Sequence, residues 1–296
     1  MSEVMARYSD VGLVGTDARS IEKAFDRALH DERRTLRGAP SRCGAEESRA
    51  LFVGVRLDDE WSAVERPLAG TWKPPVHPQV VIDQPRGPQE QMDIDNEWAI
   101  QVVRGARPAT LRFWRWTQPA VVIGRYQCVH DEVDLEAARA AGFQIVKRPT
   151  GGGAMFVRPS DVITYSLYVP APFLEGVAVR ASYRLCDRWL VEALRGMDIG
   201  FGGMNDVVTP NGKAGGSAQR RYAPLDYGPC AVLHHTTLSY AIDSETMSRL
   251  LRVSDEKMSD KAVRSVSKRV DPLCMHTALS REEIMHNLAG YAHRGI

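Results

Sequence analysis

The run Thr150-Gly151-Gly152-Gly153-Ala154 follows a strand-like segment at 143–147, and its spacing narrows the fold more than any other feature of the chain. A dinucleotide-binding turn needs GxGxxG and a P-loop needs GxxxxGK[ST]; this run has neither spacing. Three glycines do supply a backbone without Cβ atoms, able to approach a neighbour closely and to aim amide N–H groups at an anion. Around the run, helical and strand signals alternate irregularly. Residues 89–104 read as an amphipathic helix with Met92, Ala99, Val102 and Val103 apolar, an acidic first half and Gly105 as its stop. Strands are expected at 110–116, 120–123, 161–169 and 231–242, a short helix at 134–141 ended by Gly142, and a long helix at 177–197. Residues 206–209 and 213–220 flank a Pro-Asn-Gly turn and predict a hairpin. A helix is expected from Ser244, and Ser280 with Glu283 forms a capping box that opens a last one. The irregular order predicts an α+β fold, not a doubly wound parallel sheet.

Upstream, residues 1–66 read as a helical extension with Phe25 and Leu29 on one face, and 67–88 carry Pro67, Pro74, Pro75, Pro78, Pro85 and Pro88 around Val80-Val81-Ile82. Such proline density predicts an extended linker or wrapping arm, leaving 89–296 as the main folded domain. The formal net charge of +1 gives no bulk attraction to nucleic acid or an anionic membrane, and no run approaches the roughly twenty apolar residues that span a bilayer. The first residues lack a secretory pattern, so the expectation is a cytoplasmic protein. Cys43, Cys128, Cys186, Cys230 and Cys274 are odd in number with no CxxC pair, which fits neither a disulfide framework nor a zinc site.

Two further clusters share the glycine run's character: Asn205-Asp206 with Lys213-Ala214-Gly215-Gly216-Ser217-Ala218-Gln219, and His234-His235-Thr236-Thr237. Arg148 and Lys213 add positive charge, so the three together predict one site for an anion, a nucleotide phosphate being the expected one. Singly, each has a structural reading. A triple glycine is usually a turn, a lysine after Asn-Gly a solvated hairpin residue, and Asp206 a turn cap. His234 and His235 must face opposite sides of a strand, so one is expected to be structural, and Trp114 and Trp116 share one face and read as core.

In order, the motifs Gln91-Met92-Asp93-Ile94-Asp95, Leu111–Trp116, Pro119–Gln127, Lys147–Ala154, Asn205-Asp206, Lys213–Gln219 and His234-His235 resemble the lipoate-protein ligase A family, within the wider group that holds biotin ligases and octanoyltransferases. The resemblance implies mixed, largely antiparallel sheets flanked by helices, the class II synthetase-like catalytic domain. It implies ATP-dependent activation of lipoate or octanoate to an acyl-adenylate, assisted by Mg²⁺. The acyl group then passes to a lysine of a lipoyl domain of a 2-oxoacid dehydrogenase or of a glycine cleavage H-protein. In that scheme Lys213 is the catalytic lysine and Arg148 lies near the bound acid. Thr150, Gly151, Gly152, Gly153 and Ala154 close over acyl chain and nucleotide, and Asn205 and Asp206 contact nucleotide or metal. Gly216, Ser217, Ala218 and His235 complete the binding set.

The chain departs from the pattern at Val157-Arg158, where the family has His-Asp, and at Thr236, which adds bulk where the family has glycine. The resemblance also admits an octanoyl or lipoyl transferase working through a cysteine thioester. The position expected for that cysteine holds Gly202-Gly203-Met204 here, leaving Cys230 as the alternative nucleophile. A non-catalytic acyl-binding homologue is the remaining reading.

Overall fold

The computed structural model describes residues 76–222, 231–242 and 270–296. The helical reading of 1–66, Cys43, Cys230 and the helix expected from Ser244 lie outside them.

Two sheets form the described body. Strand β1 (Gln79–Ile82) is followed by helix α1 (Pro88–Val103), β2 (Thr110–Trp114) and β3 (Ala120–Ile123). Two short helices, α2 (Val129–Glu132) and α3 (Leu135–Ala140), lead to β4 (Gln144–Lys147), β5 (Met155–Val157) and β6 (Val162–Pro170). Helix α4 (Val179–Ala193), strands β7 (Gly200–Gly202), β8 (Asp206–Thr209), β9 (Gly212–Tyr222) and β10 (Ala231–Ser239), and helix α5 (Arg281–Ala292) complete it. Seven strands run in the order β1-β2-β6-β10-β9-β8-β7, parallel only at β1–β2; β4-β3-β5 make a second, smaller sheet. This is the mixed, largely antiparallel α+β architecture that the resemblance implies.

Local signals explain the element ends. Pro88 opens α1, where its missing N–H costs nothing, and Gly105 follows at φ +68. Asp134 caps α3 by accepting from Ala137 N at 2.9 Å, with Gly142 at φ +74 beyond it. Ser280 and Glu283 make the full capping box of α5. The long helix expected at 177–197 is shorter: α4 stops at Ala193, a single 3₁₀ turn covers Arg195–Met197, and Asp198 is left-handed at φ 51. Of the proline-rich stretch, residues 67–75 lie outside the described residues. Val80 and Val81 lie in β1, an edge strand paired with β2 where the prolines at 78 and 85 fall outside the ladder.

The faces of the large sheet are separated by strand alternation. On one face, α4 buries Ser182, Cys186, Trp189 and Leu190 at helical spacing and, with α5, covers Leu111, Phe113, Tyr165, Leu167, Val232 and Leu238. On the other, α1 packs Ala99, Val102 and Val103 over Tyr168, Tyr222 and Leu233. Beyond that patch, the small sheet and the glycine loop close over the same face and leave a cavity.

Candidate active site

A β-bulge places the lysine. Val207 pairs with Gly215 but Val208 pairs with Lys213, so Ala214 is the extra residue and the parity of β9 reverses there. Opposed residues on paired strands share a face. The pairs Asp206↔Gly216, Val208↔Lys213, Ala218↔His235, Gly216↔Thr237 and Thr164↔Thr237 therefore put Asp206, Lys213, His235, Thr164 and Thr237 on the α1 side together. Lys213 Nζ lies 2.8 Å from Asp206 Oδ1, the aspartate being buried and the lysine partly open. A Cβ on residue 216 would come within 3.0 Å of that Nζ, so glycine there makes room for the ammonium group.

The cavity above this face has a volume of ≈ 250 Å³, near the lower end of small-molecule sites at roughly 300–1,000 Å³. Met92, Trp114, Val122, Met155 and Phe156 form an apolar part, while Lys213, Asp206, Asn205 and His235 form a polar one; the Ser217 hydroxyl, expected in the binding set, turns to the opposite face and donates to Asp187. Gly152, Gly153 and Ala154 of the loop roof it, and Gly216 and Ala218 floor it. Gly152 stands at φ +93, and a Cβ on Gly124 would lie 2.1 Å from Gly152 O, so β3 and the loop touch backbone to backbone. Among the described residues the amide N–H groups of Gly151, Gly152 and Gly153 donate no hydrogen bond. Amides in this state are able to face an anion.

Arg148 lines the cavity and braces its loop. Its guanidinium donates to Thr150 Oγ1 (3.1 Å), Gly151 O (2.7 Å), Gly153 O (2.8 Å) and Val122 O (3.4 Å), so it holds the loop's carbonyls. Burial pushes it down to about 10, still a cation at neutral pH. Thr150 is buried behind the loop and bonds His235 Nε2 at 2.7 Å; His235 Nδ1 meets Asp95 Oδ2 at 2.8 Å. Asp95 must accept, so His235 carries its proton on Nδ1, accepts from the Thr150 hydroxyl, and Thr150 accepts from Arg148. Burial lowers the His235 pKa against the pull of Asp95, which fits this neutral ring. Burial raises Asp95, but the hydrogen bond from His235, the charge of Arg112 and the hydrogen bond from Tyr168 bring it below the usual carboxylate range. Asn205 likewise is tied to the sheet, through Nδ2 to Ser217 O at 2.6 Å.

Sequence reasoning missed Asp95, Arg112 and Asp187 as site supports. Arg112, fully buried in β2, bonds Asp83 and Gln91 and lies 3.6 Å from Asp95. Asp187 on α4 accepts from Tyr165, Ser217, Thr236 (2.9 Å) and His234 (2.7 Å) on the opposite face. A sequence signal existed for Asp95: it sits four residues after Gln91 on the buried stripe of α1, a polar pair where apolar residues are expected.

Two departures from the family pattern also find places. Thr236 puts its side chain on the α4 face, away from the cavity, and donates to Asp187; the bulk expected to impede close approach does not enter the site. Val157 is fully buried in the cluster with Trp114 and Trp116. The tryptophans are core as expected, donating to Ser166 (3.0 Å) and Thr164 (3.2 Å), and Trp114 additionally lines the cavity.

Residues 87–291 match the model of the lipoyl protein ligase A/B catalytic domain. The chain belongs to that family. Among curated relatives, the octanoyltransferase LipM of Symbiobacterium thermophilum is 38% identical over 137 residues, 46% of this chain and 45% of that one, so the match spans under half of that relative's length. Lipoate-protein ligase A subunit 1 of Thermoplasma acidophilum is 29% identical over 184 residues, 60% of this chain and 68% of that one. Among solved structures, the bipartite lipoate protein ligase of Thermoplasma acidophilum, studied with its E2 lipoyl domain, superposes with a TM-score of 0.59 at 25% identity, over 74% of this chain and 83% of that one. Family members thus include both ligases and octanoyltransferases. Among the described residues no helix is long and apolar enough to cross a membrane.

Proposed function

We propose that the protein is a lipoate-protein ligase that activates lipoate or octanoate with ATP and transfers the acyl group to a lysine of a lipoyl domain or H-protein type acceptor. The observation that carries this is Lys213 paired with Asp206 in the cavity, beside three loop amides that donate to no partner among the described residues.

The apolar part takes the acyl chain and leaves its carboxylate at the polar end, where Lys213 balances the charge of acid and α-phosphate. The loop amides donate to the phosphate oxygens, and Arg148 and the Asp95–His235–Thr150 chain keep those amides in place. The carboxylate oxygen attacks the α-phosphorus and the bond to pyrophosphate breaks. The acceptor's neutral amine then attacks the acyl carbon, and AMP leaves with the bonding pair. For Mg²⁺ the donor set is thin: Asp206 is the one carboxylate in the described lining, and no group of three His, Cys, Asp or Glu gathers among the described residues. That suits an ion held mainly by nucleotide phosphates and water, with Asp206 as protein ligand, where it would screen phosphate charge.

The relatives named octanoyltransferase favour a second reading, acyl transfer through a cysteine thioester without ATP. Of the described cysteines, Cys128, Cys186 and Cys274 lie outside the lining, and burial raises the Cys186 thiol well above its usual value. Cys230 is its candidate. ATP–pyrophosphate exchange with lipoate, octanoate and biotin, run beside octanoyl transfer from an acyl-carrier thioester, separates the two. We expect acid-dependent exchange that Lys213→Ala abolishes and Cys230→Ser retains. Transfer without ATP, lost in Cys230→Ser, establishes the transferase instead.

A further inference from the structure

The turn that carries Lys213 is fastened by a segment from the C-terminal part of the chain. Val270 bridges Lys213 in parallel, and Asp271 N donates to Lys213 O at 2.9 Å. The Asp271 side chain is buried, and its Oδ2 accepts from the Thr209 hydroxyl and from His276 Nε2 at 2.6 Å. The same Thr209 oxygen accepts from Asn211 N at 3.2 Å across the Pro-Asn-Gly turn. One carboxylate therefore grips the last residue of β8 through its side chain, while its own backbone grips Lys213.

This grip answers a mechanical problem. Lys213 has a long flexible stem, it follows a turn of Asn-Gly, and it precedes the unpaired residue of a bulge. Outside β8 the sheet ends in the three residues of β7. Such a hairpin end frays readily, yet a reacting group must be held to within about 0.5 Å. The Lys213–Asp206 contact crosses the bulge diagonally, so a shift of the turn changes where Nζ stands against the cavity.

We infer that Asp271 is a positioning residue for Lys213, acting through Thr209 and the Lys213 carbonyl, with His276 holding its carboxylate. This rests on the reading of Lys213 as the lysine of the reacting centre. The test uses the full chain in the exchange assay, with Thr209→Val as the near-isosteric variant that keeps the packing and removes the hydroxyl, and Thr209→Ser as its conservative counterpart. Asp271→Ala removes the anchor itself; should it not fold, the Thr209 pair carries the test alone. Thr209→Val should lower kcat roughly 10- to 100-fold with KM for the acid little changed, and Thr209→Ser should restore it. A kcat for Thr209→Val equal to that of the wild type, or a loss shared equally by the serine variant, overturns the inference. Lys213→Ala is measured alongside: if it stays active, the reading of the lysine fails and the inference with it. If it is inactive while Thr209→Val is unaffected, only the inference fails.

Discussion

His234 and His235 are neighbours on β10, both buried and each bonded to a buried aspartate, yet they support different parts of the molecule. His234 meets Asp187 at 2.7 Å on the face sealed by α4, where Tyr165, Ser217 and Thr236 share the same carboxylate. His235 meets Asp95 at 2.8 Å and passes the connection to Thr150, hence to the glycine loop over the cavity. The pairs are chemically alike. What separates them is the element beyond the imidazole, packed helix in one case and ligand-facing loop in the other. A buried Asp–His pair is therefore no mark of catalysis until its far side is known. Substitutions on the α4 face should cost stability first, and those on the cavity face should cost activity first.

The largest expected effect is on the sealed face. Asp187→Ala takes the shared acceptor from Tyr165, Ser217, Thr236 and His234 in the core, and each buried polar group left unsatisfied costs about 1–3 kcal/mol. Chemical denaturation should register that loss, with activity of the remaining folded protein close to normal. A change below about 1 kcal/mol would mean that the network is not what holds α4 to the sheet.

Gly124→Ala strikes the cavity side. The new Cβ would need the space of Gly152 O, 2.1 Å away, so β3 and the loop must separate. Overpacking of this kind costs about 1–3 kcal/mol, but the displaced amides should cost on the order of 10²-fold in activity. Equal activity in variant and wild type would remove the loop from the reacting centre.

The ease of reading each region from sequence follows the same division between local and distant partners. Helix α1, strand β3, the short helix before Gly142 and the Ser280–Glu283 box are signalled by residues close in sequence, and they stand where expected. Lys213 and Asp206 share a hairpin that local residues signal, but their meeting on one face needs the bulge between them. Strand β1 was not legible, because its ladder to β2 joins residues about thirty apart and prolines dominate its flanks. Asp187, Asp271 and the commitment of Arg148 to loop carbonyls depend on partners that only the folded chain brings together. The bulge at Ala214 was equally silent, although it decides which face receives Lys213.

His235→Asn beside His234→Asn tests the pairs directly. At position 235, asparagine keeps a donor toward Asp95 and loses the reach to Thr150, while Arg148 still holds the loop. A drop of about tenfold in kcat/KM, roughly 1.4 kcal/mol, should appear with little change in melting temperature. His234→Asn should do the reverse. If both variants lose activity in proportion to stability, the division between the faces is wrong.

The smallest effect is a pH dependence. Burial lowers His235 below its ordinary 6.5, with Asp95 opposing and Arg148 and His234 adding to the shift. The unfolded chain therefore binds a proton at a higher pH than the folded one, and stability rises with pH across that interval. The contribution is full above about 6.5 and is lost as pH falls through the lower folded value. Protonated Nε2 can no longer accept from Thr150, so the loop should loosen in the same interval. Asp95, lowered from 3.8, acts in the same direction but only in more acidic solution. Melting temperature followed from pH 8 down to 5 should decline in the wild type and decline less in His235→Asn. A slope that survives in His235→Asn and disappears in His234→Asn would place the titrating group on the sealed face, and the cavity-side histidine would then no longer be the ring whose protonation loosens the loop.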